Sequence, residues 1–304
     1  MKFMEIIKPG TNLDFVGKMK YAIIFSVALI VLSLGAIAFQ GGLNLGIDFA
    51  GGSIIQVKFT KQITADDIRT ALKSTNLESS IIQQFGENEF LIRSTESFSE
   101  KEVMAANLET PLTNTFGKDY EIRRVEVVGS KVGSDFRRKA ILAVVLSWIA
   151  MLVYIAWRFE FRYGLGAVVA LIHDVLIIIG VIAVLRMEFS ISILAALFFI
   201  IGFSINDTIV VLDRIRENVK LNPRKKLGDI INLSINQTLS RTILTSLTVF
   251  LTVLALYFFG GPVIHDLAFA LLVGVVIGTY SSIFIACTIV LFFERFHLPK
   301  QRKS

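Results

Sequence analysis

The chain has one cysteine, three histidines, two tryptophans and five prolines in 304 residues. A single cysteine excludes an intrachain disulfide, and Cys287 lies within an apolar run, where a thiol reads as a small filler. Nucleotide and nucleophile signatures are missing too. No Gly-x-x-x-x-Gly-Lys-Ser/Thr loop is present, so the chain is not expected to hydrolyse ATP. No Gly-x-Ser-x-Gly elbow or cysteine with a histidine partner occurs. Gly164-Leu165-Gly166 lacks the third glycine of a dinucleotide fingerprint. The expectation is a chain that is not an enzyme and uses no cofactor. Charge is scarce as well, at 18% of residues.

Apolar sequence is abundant. Hydrophobic residues make up 54% of the chain and the mean hydropathy is +0.66, far above the soluble norm. Six long apolar runs stand out: 21–39, 140–157, 164–185, 189–212, 242–260 and 267–293. Each is long enough to cross ~30 Å of hydrocarbon at about 1.5 Å per residue, and lipid requires such spans to be helical. Ala36-Ile37-Ala38 resembles a signal-peptidase site, but the run before it exceeds the roughly 7–15 residues of a cleavable signal. An uncleaved anchor is therefore expected.

Basic residues give the orientation. With residues 1–20 in the cytoplasm, the cytoplasmic segments hold 17 Lys and Arg, including the tail 294–304, whereas the two short loops opposite hold only Arg186. That asymmetry follows the positive-inside rule and places both termini in the cytoplasm. Segment 40–139, on the far side, carries 13 basic and 14 acidic residues. The net charge of +6 is thus a topology signal and not a nucleic-acid footprint. His265 falls on the extracytoplasmic side and His297 in the tail, so no metal-ligand cluster is expected.

Segment 40–139 has no run able to span, and its pattern reads β-α-β-β-α-β. Ser53–Phe59 alternates as a strand, and Thr64 caps a helix through Thr75 with Asp66 and Asp67 in its first turn. Ile81–Phe85 and Phe90–Ser94 form a hairpin. Ser99 and Glu102 form a capping box, and Tyr120–Val128 closes the set. The order is that of a split β-α-β, ferredoxin-like domain. The expected fold is thus an α-helical polytopic membrane protein, six transmembrane helices with spans 2–6 in residues 140–293, and one α+β ferredoxin-like extracytoplasmic domain. In the cytoplasmic loop 213–241, Leu227, Ile231, Ile235 and Leu239 recur every four residues. Two readings fit: an amphipathic helix on the membrane surface, or a linker helix packed on the bundle.

Polar residues at depth carry the chemistry, since each costs about 2.5–3.5 kcal/mol at a helix centre on insertion scales. His173-Asp174 falls mid-span in the third run, as a hydrogen-bonded core pair or a proton relay. In the fourth run Ser204, Asp207 and Arg214 share one helix face, Asn206 and Asp213 share a neighbouring one, and Thr208 follows directly. In the fifth, Arg241 opens a stripe of hydroxyls at Thr245, Thr248 and Thr252, with Thr238 before it. A carboxyl in low dielectric takes up a proton more readily than in water, and an approaching arginine expels it. Asp207 is the candidate for such a cycle with Arg241; the alternative is a static pair. Ala270, Gly274, Gly278 and Ser282 recur at steps of four in the last run, a seam suited to close helix packing.

Four stretches stand out together: Gly42–Gly52, with Gly46, Asp48, Gly51 and Gly52; Ala170–Asp174; Gly202–Asn218; and Ser240–Ser246. In combination they resemble the SecF branch of the SecD/SecF family, within the resistance-nodulation-division superfamily. The similarity runs in order from about residue 12 to 295. It implies an accessory subunit of the Sec protein-export machinery in the bacterial cytoplasmic (inner) membrane, paired with SecD. It further implies association with the SecYEG channel, with YajC in many bacteria, and with the SecA ATPase indirectly. Such a unit uses the proton-motive force to promote late, ATP-independent translocation and release of an exported unfolded polypeptide. The family's membrane carboxylate matches Asp207 and its arginine matches Arg241. The alternatives are half of a proton-coupled small-molecule or lipid exporter, or a non-conducting assembly scaffold.

Overall fold

The structure, a computed structural model, describes residues 12–73, 75, 77–78, 80–94, 101–158 and 160–297. They divide into two compact units: Asn44–Leu142 together with the short segment Glu188–Ile191, and the remainder of the chain.

In the first unit a short turn of helix, α2 (Ile47–Ala50), leads into β1 (Gly52–Phe59), α3 (Ala65–Leu72), β2 (Ile81–Gly86), β3 (Glu89–Ser94), α4 (Lys101–Phe116) and β4 (Tyr120–Val128). The strands form an antiparallel sheet in the order β2-β3-β1-β4. Alternate side chains of a strand face opposite sides. Accordingly Ile55, Val57 and Phe59 of β1 and Phe90 and Ile92 of β3 pack under Ile68 and Leu72 of α3 and Leu108 and Leu112 of α4. Between Gln56 and Val57 the β1–β4 register slips by one residue, leaving Arg123 as a bulge that turns to Glu89 at 2.8 Å.

Local signals place these elements. Thr64 and Asp67 form a reciprocal capping box at the start of α3, and Thr64 holds the exposed Asp67 carboxyl below the ordinary carboxylate range by hydrogen bonding to it. The helix stops at Leu72, three residues short of the expected Thr75, whose hydroxyl instead bonds the Leu72 carbonyl at 2.8 Å. The hairpin turns tightly because Asn88 adopts a left-handed φ of 59°, so β2 reaches Gly86 and β3 starts at Glu89. The expected Ser99–Glu102 capping box lies outside the described residues.

Six helices among the described residues are long and apolar enough to cross a membrane: α1 (Met19–Phe39), α5 (Ser130–Arg158), α6 (Phe161–Val184), α7 (Ile191–Leu221), α8 (Leu227–Phe259) and α9 (Gly261–His297). In the membrane unit α6 is the most enclosed of them. It packs on α1 and α9, and α8 packs on α9. Small residues set these distances. A Cβ on Gly180 would overlap Ser33 of α1, and one on Gly166 would come within 2.9 Å of the Ala286 carbonyl. On α9, a Cβ at Gly274 would press on Ile200 of α7 at 2.4 Å, and one at Gly278 on Ser204 at 3.1 Å.

The segment expected as the cytoplasmic loop 213–241 is nearly all helix. α7 continues to Leu221 and α8 starts at Leu227, leaving a short turn around Pro223. The four-residue apolar repeat is not a separate surface helix. Leu227, Ile231, Ile235 and Leu239 are buried in protein, because no proline interrupts α8 and its first turns pack on the bundle. Asn218 bonds Ser234 and Gln237 there, and the backbone of Leu13 and Phe15 bonds Asn236 and Asn232.

Candidate functional site

The buried face of α7 presents Ser204 and Asp207 in successive turns, as helical spacing requires. Asp207 is 2% exposed and meets two hydroxyls of α8: Thr245 donates to Oδ1 at 3.3 Å and Ser246 to Oδ2 at 3.2 Å. Thr279 of α9 donates to Ser246 Oγ at 2.7 Å, so three helices meet at this carboxyl. Thr208 beside it is buried, and its hydroxyl has no hydrogen-bond partner among the described residues; Thr242 Oγ1 on α8 shares that condition. The site is a buried carboxyl held by two hydroxyls, one of which is tied to a third.

Arg241 lies one turn before Thr245 on α8, with its backbone carbonyl 3.0 Å from the Thr245 hydroxyl oxygen. Arg241 itself occupies an exposed position of α8, and among the described residues no ion pair joins it to Asp207. Of the other candidates on α7, Arg214 faces Gln237 at 2.7 Å and Glu217 at 2.5 Å. Asn206 and Asp213 point out of the bundle, and Asp213 meets Arg216 at 3.9 Å. These three do not join the carboxyl.

A second polar cluster surrounds Asp174 in the middle of α6. Its Oδ2 accepts from Ser204 of α7 at 2.6 Å and Ser281 of α9 at 2.8 Å, and its Oδ1 lies 3.0 Å from His173 Nδ1. His173 Nε2 is 3.0 Å from Ser26 Oγ of α1. Ser26 in turn lies 3.0 Å from Tyr280 Oη, which donates to the Ala22 carbonyl at 2.7 Å. The spacing of residues on α7 points to Ser204; Ser26, Ser246, Thr279, Tyr280 and Ser281 escape it. Single serines in apolar runs carry no signal until the packing brings their helices together.

Gly46, Asp48, Gly51 and Gly52 gather outside both clusters, within the first unit. Leu45 pairs with Phe189 in a parallel bridge, Gly46 N donates to the Phe189 carbonyl at 2.9 Å, and Phe189 N donates to the Asn44 carbonyl at 2.7 Å. A Cβ at Gly46 would meet the Glu188 carboxylate at 2.9 Å. Gly51 and Gly52 have φ of 79° and 135°, which glycine alone adopts without strain. Asp48 Oδ2 accepts from the Ile191 backbone N–H at 3.0 Å and so caps the first residue of α7. Glu188 also pairs with Arg93 of β3. The 188–191 strap has no signature in the sequence, since four residues hold too short a pattern to read.

Comparison with known proteins places these features in a wider set. The family described as protein export membrane protein SecD/SecF, C-terminal, matches residues 108–295, and the SecD/SecF GG motif matches residues 36–63. The protein translocase subunit SecF of Calditerrivibrio nitroreducens is 45% identical over 298 residues, 95% of this chain and 96% of that protein. SecF of Magnetococcus marinus is also 45% identical, over 96% of this chain and 95% of its own length. Among solved structures, the translocon-associated membrane protein SecDF of Thermus thermophilus superposes with a TM-score of 0.83 at 36% identity. That match covers 94% of this chain and 39% of the SecDF chain.

Proposed function

The chain belongs to the SecD/SecF family of protein export membrane proteins, and from that premise we propose that it is the SecF-type subunit of a Sec protein translocase. It works beside a SecD-type partner and the SecYEG channel in the cytoplasmic membrane, with YajC as a further associate and SecA acting earlier. It draws on the proton-motive force to promote late, ATP-independent translocation and release of exported chains. The domain 40–139 lies outside the membrane and both termini lie inside. Its strand order supports a ferredoxin-like reading of that domain.

One observation carries the coupling step: Asp207 is buried in α7, and its hydrogen-bond partners among the described residues are hydroxyls of α8. A carboxyl there holds a proton while Arg241 stays apart, and it loses the proton when the guanidinium closes on it. The approach and withdrawal of Arg241 thus converts proton binding into relative movement of α7 and α8. A proton crossing the full field supplies ~2.3 kcal/mol per 100 mV, sufficient to bias two helix arrangements of similar energy. The separation of Arg241 from Asp207 favours this cycle over a static pair.

The test is Asp207→Asn, which keeps the size and hydrogen-bonding capacity and removes the titratable charge. Export of a secreted protein into inverted membrane vesicles is followed with and without a proton gradient, with membrane level and SecD binding checked in parallel. Normal assembly with the gradient's benefit lost is the expected result. A variant that still responds fully to the gradient makes the chain a scaffold.

A further inference from the structure

The hydrogen-bond chain around His173 has a direction that can be worked out atom by atom. Tyr280 has one hydroxyl hydrogen, and it is donated to the Ala22 carbonyl at 2.7 Å. Ser26 Oγ, 3.0 Å from Tyr280 Oη, must then be the donor in that contact. With its only hydrogen used, Ser26 can only accept from His173 Nε2 at 3.0 Å, so Nε2 carries a hydrogen. A neutral imidazole protonated at Nε2 presents a bare lone pair at Nδ1. That lone pair faces Asp174 Oδ1 at 3.0 Å, and two acceptors cannot sit together at that distance without a hydrogen between them. Meanwhile Asp174 Oδ2 already accepts from both Ser204 and Ser281.

We infer that His173 and Asp174 form a second proton-binding site, net neutral and holding one proton between Nδ1 and Oδ1. The proton is shared by a carboxylic acid and a neutral imidazole, or by an imidazolium and a carboxylate. Both forms carry the same charge and satisfy every contact. Releasing the proton leaves a net negative pair, whose histidine must present Nδ1–H to the carboxylate and a bare Nε2 to Ser26. Ser26 then has to donate to Nε2, and Tyr280 has to turn its hydroxyl from Ala22 to Ser26. Release of the proton is thus linked to reversal of the whole chain across α6, α1 and α9.

The surroundings fit a neutral pair. From α1 it meets Ser26, from α7 Ser204, and from α9 Tyr280 and Ser281. Tyr280 is the one titratable group in this shell, and among the described residues no lysine or arginine pairs with either member. His173 and Asp174 are 4% and 1% exposed, and a lone carboxylate is costly in such a place. Asp207 bonds to a separate set, Thr245 and Ser246. Yet Ser204 precedes it by one turn on α7, and Thr279, which bonds the Asp207 set, adjoins Tyr280 on α9. The two sites therefore share α7 and α9, and a change of proton at one is felt by helices that frame the other. Use of this site in transport rests on the proton-coupled reading above; its occupancy does not.

The experiment is solid-state 15N NMR of histidine-labelled full chain in lipid vesicles, with His265→Gln and His297→Gln leaving His173 as the only signal. At neutral pH, Nε2 protonated together with a hydrogen shared at Nδ1 is expected. A neutral Nδ1–H tautomer beside an ionised Asp174 overturns the inference. Tyr280→Phe removes the group that fixes the chain's direction and frees Ser26 to donate to Nε2, so the Nδ1–H tautomer should gain signal at neutral pH; an unchanged spectrum counts against the inference. Asp174→Asn imitates the carboxylic acid, its amide donating to Nδ1, and should hold His173 as the neutral Nε2–H tautomer at neutral pH in an assembled protein. Because the resonance is read equally well in an Asp207→Asn background, loss of gradient response there with a Nδ1–H His173 would retire this site and leave the proposed function intact. The expected His173 spectrum with an intact gradient response would do the reverse.

Discussion

Asp48 holds a position that few residue types can fill. Its carboxylate lies 3.0 Å from the backbone N–H of Ile191, the first residue of α7, one of the amides a helix start leaves without an internal partner. A negative charge there also meets the positive end of the helix dipole. The cap comes from a distant part of the chain, which is why the spacing of residues around 191 gives no hint of it. Asp48→Ala should remove about 0.5–2 kcal/mol of local stability, while Asp48→Asn keeps an acceptor and most of the protection. Amide hydrogen exchange at the start of α7 in the full chain measures this directly. A speeding of roughly 5–30-fold in the alanine variant is expected for 1–2 kcal/mol, and unchanged exchange would show that Asp48 does not cap the helix.

Between elements, the distance of α9 from α7 depends on hydrogen atoms in place of side chains. At Gly274 an added Cβ would stand 2.4 Å from Ile200 Cγ1, so even alanine forces the two helices or the isoleucine to move. Overpacking of this kind costs about 1–3 kcal/mol. Gly202, on the outer side of α7, has open space around it, and alanine there removes the glycine penalty of a helix interior, roughly 0.8–1 kcal/mol. Thermal unfolding of the detergent-solubilised chain should therefore place Gly274→Ala below the natural protein and Gly202→Ala at or above it. Equal midpoints for the two would mean that the α7–α9 contact does not limit stability. The same seam sets the Asp174 cluster, since a Cβ at Gly278 would reach Ser204 at 3.1 Å and Asp174 Oδ2 at 3.7 Å. The four-residue step of small residues is legible in the sequence as a seam for close packing. Which helix it receives is not, because a stripe of glycine names no partner.

Across the whole molecule, what can be read from residues alone is whatever repeats along one element. Six long apolar runs appear as six helices able to span, and alternation in Ser53–Phe59 appears as the inner face of β1. The face shared by Ser204 and Asp207 follows from spacing too, but the expected partner of Asp207 is Arg241, and its actual partners include Ser246, which lies off the threonine stripe. Contacts made by single residues from four helices, such as those of the His173–Asp174 cluster, have no period to detect. Orientation in the membrane is legible only through charge, and it can be measured. The natural Cys287 is 0% exposed and is expected to stay unlabelled in the folded protein, so a new cysteine reports without a background. Lys61 and Lys225 are exposed positions in the sheet domain and in the α7–α8 turn. In right-side-out vesicles a membrane-impermeant maleimide should label Lys61→Cys and spare Lys225→Cys, and inverted vesicles should reverse the pattern. Labelling of both from one side would place the sheet domain and the basic turn in the same compartment. It would remove the outer surface on which an emerging polypeptide has to be met, and the export reading with it.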